Sequence, residues 1–381
     1  MLAAGPARAQ APAPASDPVQ QSFRAAIRLI DLGDFPAAID ILRPLSDSTG
    51  APRVRLELAR ALYLDHQYRS ARAEFLKVYA RSDLPYSVRR RIDLYLTELD
   101  EKAGYFAPSL GVELNSNPGQ LAGPGVYQIL GLPLLFLPDH KASAVGFDVA
   151  AEGAAPIRDS GVSLVGSAAG AIYTTQGASH VQASLELRTP AKDGWYALGA
   201  GYYQQDRRDR ILSFDVERMI RIPLGEGRAV SVDATIGRLQ VAPDSNLDGV
   251  SVQAIGQYET GLGPDAGLTV GAGASYASAQ DAIDSRWGAL GFVRLVRAAT
   301  KLRSVLILEG SLSETGFVGV DPFFGRRRRD REATVEVVVL HDKPVHGFFP
   351  GVSLTWNRRD STIPFFGYDR RYFSLQFRRR F

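Results

Sequence analysis

Arginine is concentrated in the C-terminal part of the chain, where Arg326, Arg327, Arg328 and Arg329 run together and Arg331 follows. Guanidinium groups bind carboxylates and phosphates, so a run of this kind facing a water-filled space could steer an acidic partner. Two alternatives remain open at this point: a solvated loop and a patch facing lipopolysaccharide. A third is an ion-paired network between neighbouring strands, built from these arginines together with Arg358, Arg359, Arg370, Arg371, Asp330, Asp360 and Asp369.

The sequence offers little other chemistry. It contains no Cys, which excludes disulfides and thiolate chemistry, and its five His residues are scattered, so we predict no metal site and no cofactor. It has no Gly-x-Ser-x-Gly motif, and we expect no enzyme activity and no catalytic residues. A net charge of +3, from 44 Lys and Arg against 41 Asp and Glu, is too small to indicate nucleic acid as a partner.

The elements that must position the arginines are short strands. From residue 109 to the C-terminus, apolar and polar residues alternate in about fourteen segments; in one, Val181, Ala183, Leu185 and Leu187 alternate with Gln182, Ser184, Glu186 and Arg188. Charges on one side of so many strands could not lie in the dry core of a soluble sandwich, but they can line a wet lumen. Residues 104–381 therefore predict an antiparallel transmembrane β-barrel of about 14 strands in a bacterial outer membrane, with twelve or sixteen strands also possible.

The last predicted strand carries an aromatic pattern. Phe373, Leu375, Phe377 and the terminal Phe381 share one face, and Tyr372, Ser374, Gln376 and Arg378 share the other. This pattern resembles the C-terminal signal that the barrel assembly machinery recognises. We therefore expect that machinery and the lipid of the outer membrane to be partners.

Residues 19–103 have a helical period and repeat. Gly33 and the six residues after it match the seven residues from His66 at a spacing of 33, which is typical of tetratricopeptide helix pairs. The predicted packing positions are Phe35, Ala38, Tyr68 and Ala71, and residues 88–99 are predicted to form a capping helix. A plain helical bundle with no binding role is the alternative. Residues 1–18 are interpreted as a signal-peptide remnant or a disordered leader.

Three segments carry a family resemblance: residues 105–117 at the start of the predicted barrel, residues 324–330, and residues 356–361 with 368–370. They resemble the C-terminal barrel of the surface lipoprotein assembly modulator family. The residues that carry the resemblance are Asn115, Ser116, Asn117, Asn357, Arg358, Asp360, Tyr368, Asp369 and Arg370. The resemblance implies periplasmic tetratricopeptide repeats followed by a fourteen-strand outer-membrane barrel.

The resemblance also implies a function, the export of lipoproteins or secreted proteins to the cell surface. The client and, in some cases, periplasmic chaperones would be the partners. The repeats would hold the client, and the lumen or the closing seam of the barrel would be its route. Asn115 and Asn117 could contact the client or could belong to a hydrogen-bonded turn. The alternative function is a passive porin or small-solute channel, which has no use for a helical module that holds peptides.

Overall fold

The computed structural model describes residues 18–79, 81, 84–120, 122, 125–129, 132–137, 143–157, 160–174, 179–205, 209–225, 227–263, 265–341, 345–346 and 348–379. The predicted leader lies almost wholly outside the described residues, and so does Phe381. The chain forms two compact units, Met1–Val78 and Tyr79–Phe381. No helix among the described residues is both long enough and apolar enough to cross a membrane.

The first unit is helical. Its helices are α1 (Pro18–Asp31), α2 (Phe35–Thr49), α3 (Pro52–Leu64) and α4 (Tyr68–Tyr79). The local sequence sets their ends: the Asp34 side chain caps the first turn of α2, and Gly50 ends α2 in a left-handed conformation. Arg55 of α3 ties the unit together, because it donates to Ser46 of α2 and contacts Glu74 of α4 at 3.4 Å.

The helix junctions recur at the predicted interval. Gly33 and His66 both have a positive φ, and the next helices begin at Phe35 and Tyr68. Ala38 and Ala71, one interval apart, are both fully buried, as are Ala26 and Ala59. Small residues at these places allow the helices to approach closely. The Phe35 and Tyr68 side chains are only partly buried at the starts of α2 and α4.

Among the described residues, the second unit contains helix α5 (Tyr86–Ala103) and sixteen strands. The strands are β1 (Tyr105–Asn115), β2 (Gly125–Ile129), β3 (Leu132–Leu137), β4 (Ala144–Pro156), β5 (Ser163–Tyr173), β6 (His180–Ala191), β7 (Gly194–Gln205), β8 (Asp209–Gly225), β9 (Arg228–Ala242), β10 (Gly249–Gly261), β11 (Ala266–Ala277), β12 (Arg286–Ala299), β13 (Ser304–Asp321), β14 (Arg326–His341), β15 (Phe349–Ser361) and β16 (Tyr368–Arg378). The pair β2–β3 is a separate hairpin between β1 and β4.

The remaining strands close into one barrel. β1 and β4 to β16 form a single antiparallel sheet of fourteen strands in which β1 pairs with both β4 and β16. The predicted strand number is thus confirmed. Along β1, residues Tyr105–Asn115 all pair with β4, whereas pairing with β16 runs only from Ser109 to Asn115. β1 starts and β16 ends at the same rim, here called the proximal rim, and the opposite rim is the distal rim.

Alternation fails in β12, and the structure gives the physical reason. Successive side chains of a strand point alternately into and out of the barrel, and Phe292 occupies an inward position although it is a large apolar residue. It lies opposite Gly271 of β11, where an added Cβ would clash with the Phe292 ring. A glycine on the neighbouring strand makes room for the ring inside the wall.

Candidate functional site

The outer surface of the barrel is apolar all the way round. Large apolar side chains with one parity on each strand are solvent-exposed, from Leu114 (54%) on β1 through Leu198 (60%) on β7 to Leu354 (59%) on β15. In water, an exposed apolar belt of this extent would be strongly unfavourable. In a bilayer the belt contacts lipid, and the closed antiparallel sheet pairs the backbone N–H and C=O groups that lipid cannot satisfy. The chain is an outer-membrane β-barrel. Its distal rim carries the longest connection, residues 116–143, which is the arrangement of the cell-exterior side of such barrels.

The opposite parity lines the lumen, which is rich in carboxylates from β1 to β9. The inward residues with carboxyl groups there are Glu113, Asp148, Glu152, Glu186, Asp215, Glu217 and Asp233. Arg188 pairs with Glu186 at 2.8 Å, and Arg221 reaches Glu259 at 2.7 Å. Among the described residues, no salt bridge joins Asp215, Glu217 or Asp233 to a cation. This half of the wall therefore carries an excess of negative charge.

A buried ion pair organises the inner side of the distal rim. Arg328 of β14 contacts Asp330 at 2.6 Å, and Asp330 is only 6% exposed. The guanidinium carbon of Arg328 lies 3.6 Å from the ring centre of Phe366 and 4.7 Å from that of Phe317. Phe366 packs in turn against Phe324 and Phe365. A charged pair set among aromatic rings thus stabilises this part of the rim.

The predicted arginine run is divided between the two faces of the wall. Arg328 points inward, whereas Arg329 and Arg331 point outward and both pair with Glu314 of β13. Arg327 shares their outward parity, and Arg326 lies at the tip of the β13–β14 hairpin. These five arginines are not brought together in one lumenal ring. Arg329 and Arg331 form ion pairs between neighbouring strands, but with Glu314 and not with the aspartates expected for the predicted network. Asp330 and Asp360 pair instead with arginines of their own strands.

The family-like residues near the C-terminus are divided in the same way. On the inner face, the Asn357 amide donates to Glu332 and Thr334 at 2.7 Å each, and Arg359 pairs with Glu332 at 2.7 Å. Tyr368 packs under the Arg359 guanidinium, and Arg370 lies over Tyr372. On the outer face, Arg358 pairs with Asp360 at 2.9 Å, and the Trp356 indole donates to Asp369 at 3.0 Å.

Asn115, Ser116 and Asn117 lie at the distal end of β1 and form hydrogen bonds at the closing seam, where β1 pairs with β16. Backbone N–H of Ser116 donates to the carbonyl of Arg371, and the Ser116 hydroxyl accepts from Arg371 N–H at 2.8 Å. The Asn115 side chain accepts from Asn117 N–H at 3.0 Å and donates to Glu113. These contacts match the hydrogen-bonded turn, one of the two interpretations above. They join the end of β1 to the start of β16.

The last strand shows the arrangement from which the assembly signal was predicted. Phe373 and Leu375 are exposed on the outer face, Phe377 shares their parity, and Ser374 is buried on the inner face. Among the described residues, no group of His, Asp and Glu is placed to hold a metal ion; His341 ends β14 and His346 lies in the turn after it.

Alternation along the sequence assigns Glu186, Asp215, Glu217 and Asp233 to the polar face of their strands but does not group them. Grouping requires the register: Glu217 lies opposite Thr235, which places it diagonal to Asp233 across the β8–β9 pair. Asp215 lies opposite Gly199 of β7. The only sequence signal is the paired spacing of the two carboxylates on β8.

Comparison with known proteins gives fold-level similarity only. No protein-family model matches the chain, and no curated protein matches it. Three similar solved structures are a loop-deletion mutant of OmpT, an outer membrane protein of Vibrio cholerae (12% identity, TM-score 0.42), opdK from Pseudomonas aeruginosa (11%, 0.42) and an anion-selective porin from Comamonas acidovorans (9%, 0.40). Each match covers 73% of this chain and 100%, 99% and 98% of the other chain, respectively.

Proposed function

We propose that the protein is an outer-membrane component that exports lipoproteins or secreted proteins to the cell surface. The observation that carries the proposal is the recurrence of helix junctions at Gly33 and His66, ahead of a fourteen-strand barrel in the same chain. Two tetratricopeptide-like helix pairs would hold the client in the periplasm, in line with the resemblance to the surface lipoprotein assembly modulator family. The export role gives the helical unit a purpose that a passive pore does not.

The closing seam is the favoured route in this proposal. Residues 105–108 pair with β4 but lie outside the strand register of β16, where one further hydrogen bond joins Arg379 N–H to the Pro108 carbonyl. Among the described residues, β1 pairs with β16 at seven positions and with β4 at eleven. A client would enter at the proximal end of the seam and leave past the Ser116–Arg371 contacts.

A photocrosslinking residue on the helical unit tests the proposal. Leu32 is 81% exposed at the end of α1, so p-benzoylphenylalanine placed there reaches a bound client without disturbing the core. Leu302, also exposed but in a turn of the barrel, is the matched control. We expect position 32 to capture a lipoprotein or secreted protein, and deletion of residues 18–78 to remove that protein from the cell surface. An unchanged surface proteome after the deletion contradicts the export role.

The lumenal carboxylates favour a second candidate function, a passive channel that prefers cations. No described cation forms a salt bridge with Asp215, Glu217 or Asp233. A lumenal wall with such carboxylates attracts cations and repels anions. Planar-bilayer recordings in a KCl gradient measure the preference through the reversal potential. Glu217→Gln with Asp233→Asn is expected to shift that potential toward zero, whereas Asp360→Asn on the outer face leaves it unchanged. A membrane that stays non-conducting rules out the channel and leaves the export proposal standing.

A further inference from the structure

The outer face of β12–β15 near the distal rim contains a recess of about 590 Å³, within the range of ligand pockets in proteins. Its floor consists of small residues with outward parity, Ala289, Gly291 and Ala333, and Leu312 and Trp356 form its sides. We call it the distal outer recess. Exposed Leu, Val and Phe side chains project from much of the belt, and the small residues of the floor leave a depression between Leu312 and Trp356.

Charged groups border the recess on its distal side. The register places Glu314, Arg331 and Asp360 side by side in one row, and Leu312, Ala333 and Arg358 in the next row toward the membrane centre. Trp356 lies one row further in, opposite Val335. Because tryptophan is typical of the boundary between headgroups and acyl chains, the recess lies in the distal leaflet with its charges at headgroup height.

The charge at this border is positive. Arg329, Arg331, Arg358 and Arg371 stand against Glu314, Asp360 and Asp369, which is four guanidinium groups to three carboxylates. Arg331 contacts Glu314 through its Nε at 2.9 Å, and its side chain is 69% exposed. Arg358 is 54% exposed. Glu314 accepts from Nε of Arg331, and Asp360 accepts from Nε and Nη2 of Arg358. These contacts hold the two guanidinium groups at the surface, where their further N–H groups can donate to a phosphate.

We infer that the distal outer recess binds a phosphorylated, acylated glycolipid of the lipid A class. Arg331 and Arg358 would contact its phosphate, and an acyl chain would lie along the Ala289–Gly291–Ala333 floor between Leu312 and Trp356. A free anion would contact the arginines but leave the apolar recess empty. An uncharged lipid would fill the recess but make no contact between a phosphate and the arginines. The site is independent of the function proposed for the lumen and the helical unit.

The test is native mass spectrometry of the full chain in detergent, titrated with bisphosphorylated lipid A or with its dephosphorylated form. The double variant Arg331→Gln/Arg358→Gln removes the phosphate contacts. The matched control is Arg210→Gln/Arg238→Gln, which removes two outward arginines at the distal end of β8–β9 on another part of the wall. Gly291→Phe fills the recess without a charge change, since a Cβ at Gly291 meets no atom within 4 Å.

We expect the protein to retain bisphosphorylated lipid A, and the Arg331/Arg358 variant to bind it about tenfold more weakly. Gly291→Phe is expected to weaken binding to a similar extent, and the Arg210/Arg238 control to stay within about twofold of the parent. Three outcomes overturn the inference: equal affinity in the Arg331/Arg358 variant, equal affinity for the dephosphorylated lipid, or complete displacement by millimolar inorganic phosphate.

Discussion

Arg328 and Asp330 are two residues apart on β14 and point to the same side, so that the Arg328 Nε donates to both carboxylate oxygens at 3.1 and 2.9 Å. Their equivalents on the outer face, Arg358 and Asp360, have the same spacing and a comparable contact but are largely exposed. The contributions of these two ion pairs to the stability of the barrel can therefore be compared, with burial as the main difference between them.

Asp330→Asn is expected to lower the free energy of unfolding of the barrel by roughly 2 kcal/mol, because the largely buried Arg328 loses its charged acceptor. Asp360→Asn is expected to have no measurable effect, since exposed pairs contribute little. Urea unfolding from detergent or liposomes, followed by tryptophan fluorescence, compares the two. A similar loss for both variants contradicts the role assigned to burial.

The helical unit is expected to depend on its small residues. Ala71 of α4 is fully buried, whereas Ala73 on the same helix is exposed. Ala71→Leu should destabilise the unit by about 1–3 kcal/mol through overpacking, while Ala73→Leu should stay within about 0.5 kcal/mol of the parent. The measurement is thermal melting at 222 nm on the full chain. Equal melting curves for the two variants would show that α4 does not pack through Ala71.

The seam can be locked without interference, because the chain has no Cys of its own. Val112 and Leu375 are opposite each other on β1 and β16, so Val112→Cys/Leu375→Cys is placed for a disulfide. If a client passes through the seam, oxidation should abolish surface display and dithiothreitol should restore it. The control, Ala234→Cys/Ala254→Cys, locks β9 to β10 in the same way. Unchanged display while the engineered bond across the seam is fully formed would instead indicate the lumen.

The stability of the barrel is expected to depend on pH through Asp284, which lies in the loop before β12. Burial raises the pKa of Asp284 above its ordinary value of 3.8, and the carboxylates of Asp281 and Asp244 raise it further. The folded state therefore holds this proton more tightly than the unfolded state does, so the contribution of Asp284 to stability falls as pH rises from about 3.8 through the raised value. Asp284→Asn should flatten that slope and stabilise the barrel at neutral pH. Thermal melting across the acidic range up to neutral pH checks it, with Asp47→Asn on α2 as the control.

Much of the fold could be predicted from the sequence because a transmembrane strand has to alternate. Leu185 and Glu186, for example, fall on opposite faces of β6 by parity alone. The 33-residue spacing of Gly33 and His66 likewise predicted two similar helix junctions. β12 did not alternate because the space for Phe292 is provided by Gly271, a residue on another strand that local pattern cannot pair with it.

The candidate site was less predictable. In a run such as Arg326–Arg329 every residue has the same type, so alternation gives no phase, and only the contacts of Arg328 with Phe366 and of Arg329 with Glu314 decide the faces. Helix α5 was grouped with the repeats from its period, yet it belongs to the unit that contains the barrel. The period of an amphipathic helix predicts that one of its faces is buried, but it does not identify the element against which that face packs.

The distal connections have one further consequence. Apart from residues 116–143, the distal links are short: 174–179, 206–208, 243–248, 278–285, 322–325 and 362–367. Antibodies or phages that meet the intact bacterium would thus find a single sizeable target on this molecule. Selection by hosts and viruses should act most strongly on that stretch, and strains would be expected to differ there first.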